Sequence, residues 1–389
     1  MKKSKKIFVL VGEESGDIIA SDLIQEIKKQ NKDKFDLKFS GVTGPRMKLF
    51  GVSTIFDFTE INYLGVSEII SNFISLKIKL NKLIKKIDII NPDILITVDA
   101  KLFSLSLAKG LKKKNVSNDI KLVHVVLPTI WAHSPSRAYK WKKVFDLLVS
   151  IIPNEDNYFK NYEIKTVYLG NPIFEKFLNK VNTLKYLKTK NHTKCLILPG
   201  SRESEIKYNI DILLKTVIKI NHHYKNKIKW LLPTLDRFQK TILHKIKFYN
   251  LQHTIEIVNF DKSFQKIAES KVAISCSGTA TLQLSLLSIP TIVIYKTSFL
   301  NAILGRLLVN MDNVVLPNFI SGKKVLPLLF QEKCNTENLF KLFCEYYDNY
   351  KIHKKKSQML SNYLKKEIVF TRLENFHSYV FLVYDHQLV

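Results

Sequence analysis

Residues 196–206 read LILPGSRESEI. An apolar run closes at Pro199, Gly200 and Ser201 make a small turn, and Arg202 opens a segment with glutamates on either side of Ser204. A buried strand that leads through a small turn into a helix belongs to a parallel sheet covered on both faces. The arginine is one of only six among 61 basic residues, so lysine enrichment does not account for it. Gly200 permits close backbone approach, and Ser201 adds a hydroxyl. The helix start offers free N–H groups, and a guanidinium forks onto phosphate oxygens. The turn points to a bound diphosphate. A surface arginine paired with Glu203 or Glu205 is the other reading of the same residues.

The pattern repeats outward from this stretch. Upstream, strand-length apolar runs recur at 7–12, 37–42, 93–99, 121–127, 146–152 and 165–170, with helical patterns such as IIASDLIQEIKKQ (18–30) between several of them. After Pro172 they restart at 195–200, 229–233, 254–258, 272–278 and 291–295. Runs without polar alternation, separated by helices, predict two doubly wound parallel sheets. The polar, lysine-rich stretch 173–194 reads as the boundary and a lead-in helix. Beyond about residue 330 the pattern is aromatic, lysine-rich helix. The expected division is 1–172, 173–340 and a helical tail, 341–389.

In open sheets of this kind ligands bind outside the carboxyl ends of the strands. Three further strand-end turns therefore matter. VGEESGD (11–17) carries Glu13, Glu14 and Asp17, too acidic for a phosphate cradle; it reads as a polar pocket for sugar hydroxyls or a cation, or as a helix N-terminus capped by Ser15 or Asp17. Asp99 ends ILITVD and reads as a general base toward a bound hydroxyl, or as a turn residue. SCSGTATLQ (275–283) runs from a buried strand through Ser277, Gly278 and Thr279 into a helix, a second amide-rich start in the same half. Two such starts could cradle one diphosphate from two sides, with Gln283 about one turn along facing a sugar hydroxyl. An ordinary helix cap is the alternative. There is no Walker A lysine motif and no GxGxxG, which argues against ATP hydrolysis and dinucleotide redox chemistry. The combination suits a glycosyltransferase built from two domains.

Composition bounds the rest. The chain has 389 residues, 46% of them hydrophobic, enough for two cores. The formal net charge of +27 is spread as lysine over the whole length. It reads as a solvated surface or as attraction to an anionic membrane, and the absence of an arginine-rich or aromatic-interleaved stripe counts against nucleic acid. The four cysteines, 195, 276, 334 and 344, form no CxxC pair and read as buried thiols in a reducing compartment. The apolar run near the N-terminus is too short for a signal peptide, and none reaches the ~18 residues that span a bilayer. The expected setting is the cytoplasm, with membrane contact peripheral.

With these motifs in order, the sequence resembles the lipid A disaccharide synthases, bacterial glycosyltransferases of outer-membrane lipid A assembly. VGEESGD matches the family's Gly-Glu-x-Ser-Gly-Asp opening. GVTGPRM (41–47), NPDILITVDA (91–100), LPTIWA (127–132), LPGSRESEI (198–206), SGTATLQ (277–283) and LPNFISGKKVLPLLFQEKC (316–334) follow. The resemblance implies a GT-B fold and an inverting, metal-independent transfer with no cofactor. UDP leaves UDP-2,3-diacylglucosamine as the 6-hydroxyl of 2,3-diacylglucosamine 1-phosphate (lipid X) attacks, giving a β-1,6 linkage. It places Asp99, as general base, and Glu13 among the catalytic residues. Gly200, Ser201, Arg202, Ser277, Gly278, Thr279, Gln283 and Asn318 fall on the nucleotide side, and Ser15, Asp17 and Arg46 on the acceptor side.

The sequence departs from the family's pattern in places. Lys101 and Leu102 stand where Pro-Asp usually follows Asp99-Ala100. His133 and Ser134 alter a WAWR-like segment, Asn171 replaces a histidine, and Gln283 replaces a glutamate. Acylated substrates require contact with a membrane. YLGVSEIISNFISLKIKLNKLIKKI (63–87), apolar at helical spacing with lysines toward its end, reads as an interfacial helix on the inner face of the inner membrane, or as a helix packed on its own sheet. A homodimer is a further expected partner. The alternatives carried are a related GT-B enzyme using another UDP-sugar, with a polyprenol-linked acceptor or as an epimerase, and a basic non-catalytic protein that binds membrane or nucleic acid.

Overall fold

The structure is a computed structural model and describes residues 2–61, 73–116, 119–128, 137–160, 162–184, 194–298, 302 and 313–368. The chain forms two compact units, one running through Glu175 and one over Lys176–Glu367. The expected division at Pro172 falls at the start of helix Pro172–Asn182, inside which the chain changes unit.

The first unit is a seven-stranded, wholly parallel sheet. Its strands are β1 (Lys3–Val11), β2 (Phe35–Thr43), β3 (Ser53–Asp57), β4 (Ile94–Val98), β5 (Lys121–Val125), β6 (Leu147–Ser150) and β7 (Thr166–Tyr168), in the order β3-β2-β1-β4-β5-β6-β7. The second unit holds β8 (Lys194–Leu198), β9 (Lys229–Pro233), β10 (Ile255–Val258), β11 (Ala273–Cys276), β12 (Thr291–Tyr295) and β13 (Leu328–Phe330), in the order β10-β9-β8-β11-β12-β13, again all parallel. Every strand expected from an apolar run is present. The short edge strands β3 and β13 are additional.

The central strands read as unbroken apolar runs because both faces are covered. β4 is buried along its whole length, and so are Ile7–Val11 of β1. Helix Glu14–Asn31 lays Ile19, Ala20, Leu23, Ile24 and Ile27 on the first sheet, a stripe at three- and four-residue spacing. Helix Glu203–His223 does the same in the second unit with Ile206, Ile210, Leu213, Leu214, Val217 and Ile220. Each such side chain contributes about 1.5–3 kcal/mol on full burial.

The stretch expected as a separate tail is helical in its described part but packs into the second unit. Helix Thr336–Asp348 adds Leu339, Phe343 and Tyr346 to that unit's core. Helix Tyr350–Ile368 is tied to it by Ser361, whose hydroxyl donates to the Leu286 carbonyl at 2.8 Å.

Each strand order reverses once. In the first unit the reversal lies between β1 and β4, and in the second between β8 and β11. The carboxyl ends of these four strands are Val11, Val98, Leu198 and Cys276. They lead directly into the four turns singled out in the sequence.

Candidate functional site

In the second unit the two amide-rich turns share one cavity of about 360 Å³. Gly200, Ser201 and Arg202 line it from the β8 end, and Ser277, Gly278, Thr279 and Gln283 from the β11 end. Helices Glu203–His223 and Thr279–Leu286 begin there, so their first N–H groups lack intrahelical partners.

The electrostatics of the first turn depend on Glu205. Its Oε2 accepts from the Ser201 and Arg202 N–H groups at 2.8 and 3.2 Å, and its Oε1 accepts from Arg202 Nη1 at 3.0 Å. The ion pair read as the alternative for Arg202 is therefore formed, while 63% of the arginine side chain stays exposed at the cavity. Gly200 has φ 128°, and a Cβ there would lie 2.4 Å from Glu205 Cβ; only glycine lets the turn close over the glutamate. At the second turn the Ser277 hydroxyl donates to the Val314 carbonyl at 3.0 Å. Burial raises the Cys276 thiol well above its ordinary range, so it lines the cavity as an apolar group.

Asn318 stands outside the cavity lining. Its Oδ1 accepts from Val325 and Leu326 N–H at 3.1 and 2.9 Å, and its Nδ2 donates to the Leu326 carbonyl at 2.9 Å. The side chain thus stitches the loop that leads to β13 onto helix Leu316–Ser321.

The reading of the cavity from sequence missed its far wall. Pro233 at the end of β9 with Thr234 and Leu235 after it, and Asn259, Phe260 and Asp261 after β10, complete the lining. Arg237, another of the six arginines, donates from Nη2 to the Ser201 carbonyl at 3.1 Å. The signal was available, since KWLLPTL and IEIVNFD leave apolar strands for polar turns just as the four chosen stretches do.

In the first unit the turns after β1 and β4 meet. A Cβ on Gly12 would lie 2.4 Å from Ala100 Cβ, and one on Gly16 3.3 Å from the Val98 carbonyl oxygen. Glu13 flanks helix Glu14–Asn31 as its N-cap and accepts a hydrogen bond from the Ser15 hydroxyl. Asp17 is buried, and its carboxylate accepts from the N–H groups of Gly44, Arg46 and Met47 at 3.2, 2.8 and 3.1 Å. It caps the short helix Pro45–Leu49 from the neighbouring helix Glu14–Asn31, while the Arg46 side chain faces solvent.

Asp99 and Ala100 are both left-handed, with φ 55° and 44°. Each such non-glycine residue costs about 1–3 kcal/mol and persists where its surroundings over-determine it. The Asp99 carboxylate lies 3.9 Å from Lys101 Nζ, and its N–H donates to the Val125 carbonyl at 3.0 Å. The buried Ser104 hydroxyl donates to the Asp99 carbonyl at 2.9 Å. The result is a carboxylate on a rigid, strained strand end, with a cation beside it.

A family profile described as Lipid-A-disaccharide synthetase matches residues 7–380 of the sequence. The chain belongs to the lipid-A-disaccharide synthase family. Among the family's members it is 31% identical over 341 residues to the lipid-A-disaccharide synthase of Rickettsia bellii (strain OSU 85-389), covering 85% of each chain. It is 30% identical over 370 residues to that of Wigglesworthia glossinidia brevipalpis, covering 94% of each. Among solved structures, the UDP-GlcNAc 2-epimerase from Neisseria meningitidis bound to UDP-GlcNAc superposes with a TM-score of 0.60, at 14% identity, over 95% of this chain and all of that one. That likeness is one of fold: two Rossmann-like α/β units, the GT-B architecture.

Two departures from the family's pattern have a local account. Asn171 is buried, and its Oδ1 accepts from Ile173 and Phe174 N–H at 3.0 and 3.3 Å; it caps helix Pro172–Asn182. Lys101 supplies the cation beside Asp99. Trp131, Ala132, His133 and Ser134 lie outside the described residues, as do residues 63–72 of the expected interfacial helix.

Proposed function

We propose that the chain is a lipid A disaccharide synthase, transferring 2,3-diacylglucosamine from its UDP donor to 2,3-diacylglucosamine 1-phosphate with release of UDP. The observation that carries this reading is the second unit's cavity, in which two helix N-termini and Arg202 converge, in a chain of this family. In the proposed reaction the departing diphosphate gathers charge where the helices that follow the Gly200–Arg202 and Ser277–Gly278 turns present their first N–H groups, with the Arg202 guanidinium beside them. Preorganised donors of this kind stabilise a leaving anion without reorganising. Gln283 takes the sugar side of the nucleotide.

In this proposal Asp99 removes the proton from the attacking 6-hydroxyl as the new glycosidic bond forms. Lys101 offsets its charge, and Glu13, held by Ser15, orients the acceptor. Asp17 acts through the backbone it caps, keeping the Gly44–Met47 segment and Arg46 in place. No helix among the described residues is long and apolar enough to cross a bilayer. One feature supports membrane contact. Helix Phe73–Ile90 exposes Ile74 and Ile78, one turn apart, beside Lys77, Lys82, Lys85 and Lys86. An apolar pair in a basic field suits the surface of an anionic bilayer, and in this proposal the face is the inner one of the inner membrane.

The test is UDP release in detergent with EDTA, with each lipid omitted in turn. Release that requires both lipids is expected, and Asp99→Asn is expected to lower turnover by about a thousandfold or more while UDP binding is retained, as removal of a general base does. Release from the donor alone or from another UDP-sugar would favour an epimerase-like or differently specific enzyme. An Asp99→Asn protein of normal rate would remove Asp99 as the base.

A further inference from the structure

His124 on β5 takes no part in the reaction above, yet it is completely buried beside the Asp99 turn. Both ring nitrogens have partners. Nδ1 lies 2.8 Å from Thr97 Oγ1 on β4, and Nε2 lies 3.1 Å from the Val126 carbonyl oxygen. A carbonyl only accepts, so Nε2 carries the proton and donates; the neutral ring then leaves Nδ1 to accept from the Thr97 hydroxyl. Burial, with a smaller contribution from the Lys101 charge, pushes the imidazole pKa down to about 3. Trp141 and Phe145 enclose the ring at centroid distances of 4.5 and 5.2 Å.

The group that this N–H grips is strained. Val126 has φ 72°, a left-handed conformation that is an outlier for a β-branched residue. The preceding carbonyl, of Val125, is the acceptor for the Asp99 N–H, and Val126 N–H donates to the Val149 carbonyl at 3.1 Å. Left-handed residues therefore sit at two adjacent strand ends, and a single backbone hydrogen bond joins them. His124 holds one side of that join through Val126, and through Thr97 it is anchored in β4 itself, two residues before Asp99.

We propose that His124, braced by Thr97, is a positioning residue: it keeps Val126 left-handed, so that the Val125 carbonyl holds the turn from which Asp99 reaches the acceptor hydroxyl. This rests on Asp99 being the base. Without the Nε2 donor, Val126 relaxes toward extended backbone and the Val125 carbonyl swings away. The carboxylate then loses its fixed origin. The donor cavity is built entirely in the second unit, so nucleotide binding is untouched.

The experiment compares His124→Phe, which keeps a ring but removes both polar contacts, with His124→Gln, whose amide can still donate to Val126. Thr97→Val removes the brace, together with the same hydroxyl's longer contact to the Val123 carbonyl at 3.3 Å. For folded His124→Phe, kcat is expected to fall about 30- to 100-fold, the scale of a reacting group misplaced by roughly an ångström, with KM for both lipids and the Kd for UDP within about threefold of wild type. His124→Gln should recover most of the rate, and Thr97→Val should lose about three- to tenfold in kcat alone. A folded His124→Phe of normal kcat would overturn the proposal. So would a Thr97→Val protein whose only defect is lower stability, or a folded His124→Gln protein whose kcat falls about 30-fold or more, and these two keep the test decisive should His124→Phe not fold. Asp99→Asn is assayed alongside. If it is fully active, the base assignment fails; if it is inactive while His124→Phe is normal, only the positioning role fails.

Discussion

Glu205 already occupies two N–H groups and the guanidinium of the turn proposed for the diphosphate. Sequence showed both possible partners of Arg202, a phosphate or a neighbouring glutamate, and favoured the phosphate. An i,i+3 pair and a ligand compete for the same fork, and the glutamate's reach back to Ser201 is visible only in three dimensions. Glutamine at the same helical position still caps the turn but carries no charge. Glu205→Gln is therefore expected to tighten UDP binding about three- to tenfold, on the scale of a single half-exposed ion pair. Calorimetric titration measures it, and weaker binding would make Glu205 a supporter of the site instead of a competitor. His124 sets a second expectation. Its pKa is lowered from 6.5 to about 3 in the folded protein, so between these values the unfolded chain binds the extra proton and stability falls as pH falls. At pH 5 this is about 2 kcal/mol relative to neutral pH. Denaturant unfolding at pH 7 and 5 should show a shallower loss in His124→Gln than in wild type.

At the scale of elements, what was legible followed from burial on both faces. Eleven strands announced themselves as apolar runs because parallel strands need no polar alternation. β3 and β13 escaped because they are short and only partly buried, so STIFD and LLF carry little pattern. The motif LPNFIS was legible as a functional segment, yet its asparagine turns out to serve backbone. A side-chain amide that matches backbone donors and acceptors cannot be told from a ligand contact without coordinates. Asn318→Ala removes three hydrogen bonds at a buried position and should destabilise the second unit by about 2–3 kcal/mol, read as a lower thermal midpoint. UDP affinity of the folded variant should stay within about threefold of wild type. A stable variant that had lost UDP would return Asn318 to the nucleotide. The last described helix also serves backbone. Lys354 and Ser361 donate to the carbonyls of Ser288 and Leu286, at the far end of the helix whose first turn lines the cavity.

Over the whole molecule, the excess of lysine was legible as charge but not as purpose. A lysine coat that merely solubilises and one that docks on lipid have the same composition. Ile74 and Ile78 are exposed among cations, which is what the proposed docking requires. Sedimentation with vesicles containing anionic lipid should show binding that weakens between low and physiological salt, as screening shortens to about 8 Å. Ile74→Gln with Ile78→Gln should lower that binding several-fold even at low salt. Equal binding by the double variant would leave the charge acting alone.

The place of β1 in its sheet also has a consequence in time. β1 is made first, but it lies in the middle, with β2 on one side and β4 on the other, and Ile7 pairs with Ile94. At ribosomal speeds of about 5–20 residues per second, one edge of this strongly apolar strand waits several seconds for its neighbour to emerge. β8 repeats the delay, since Leu196 pairs with Ala273. The nascent chain therefore twice presents an open, apolar edge during synthesis, a surface exposed to mispairing until its neighbour arrives.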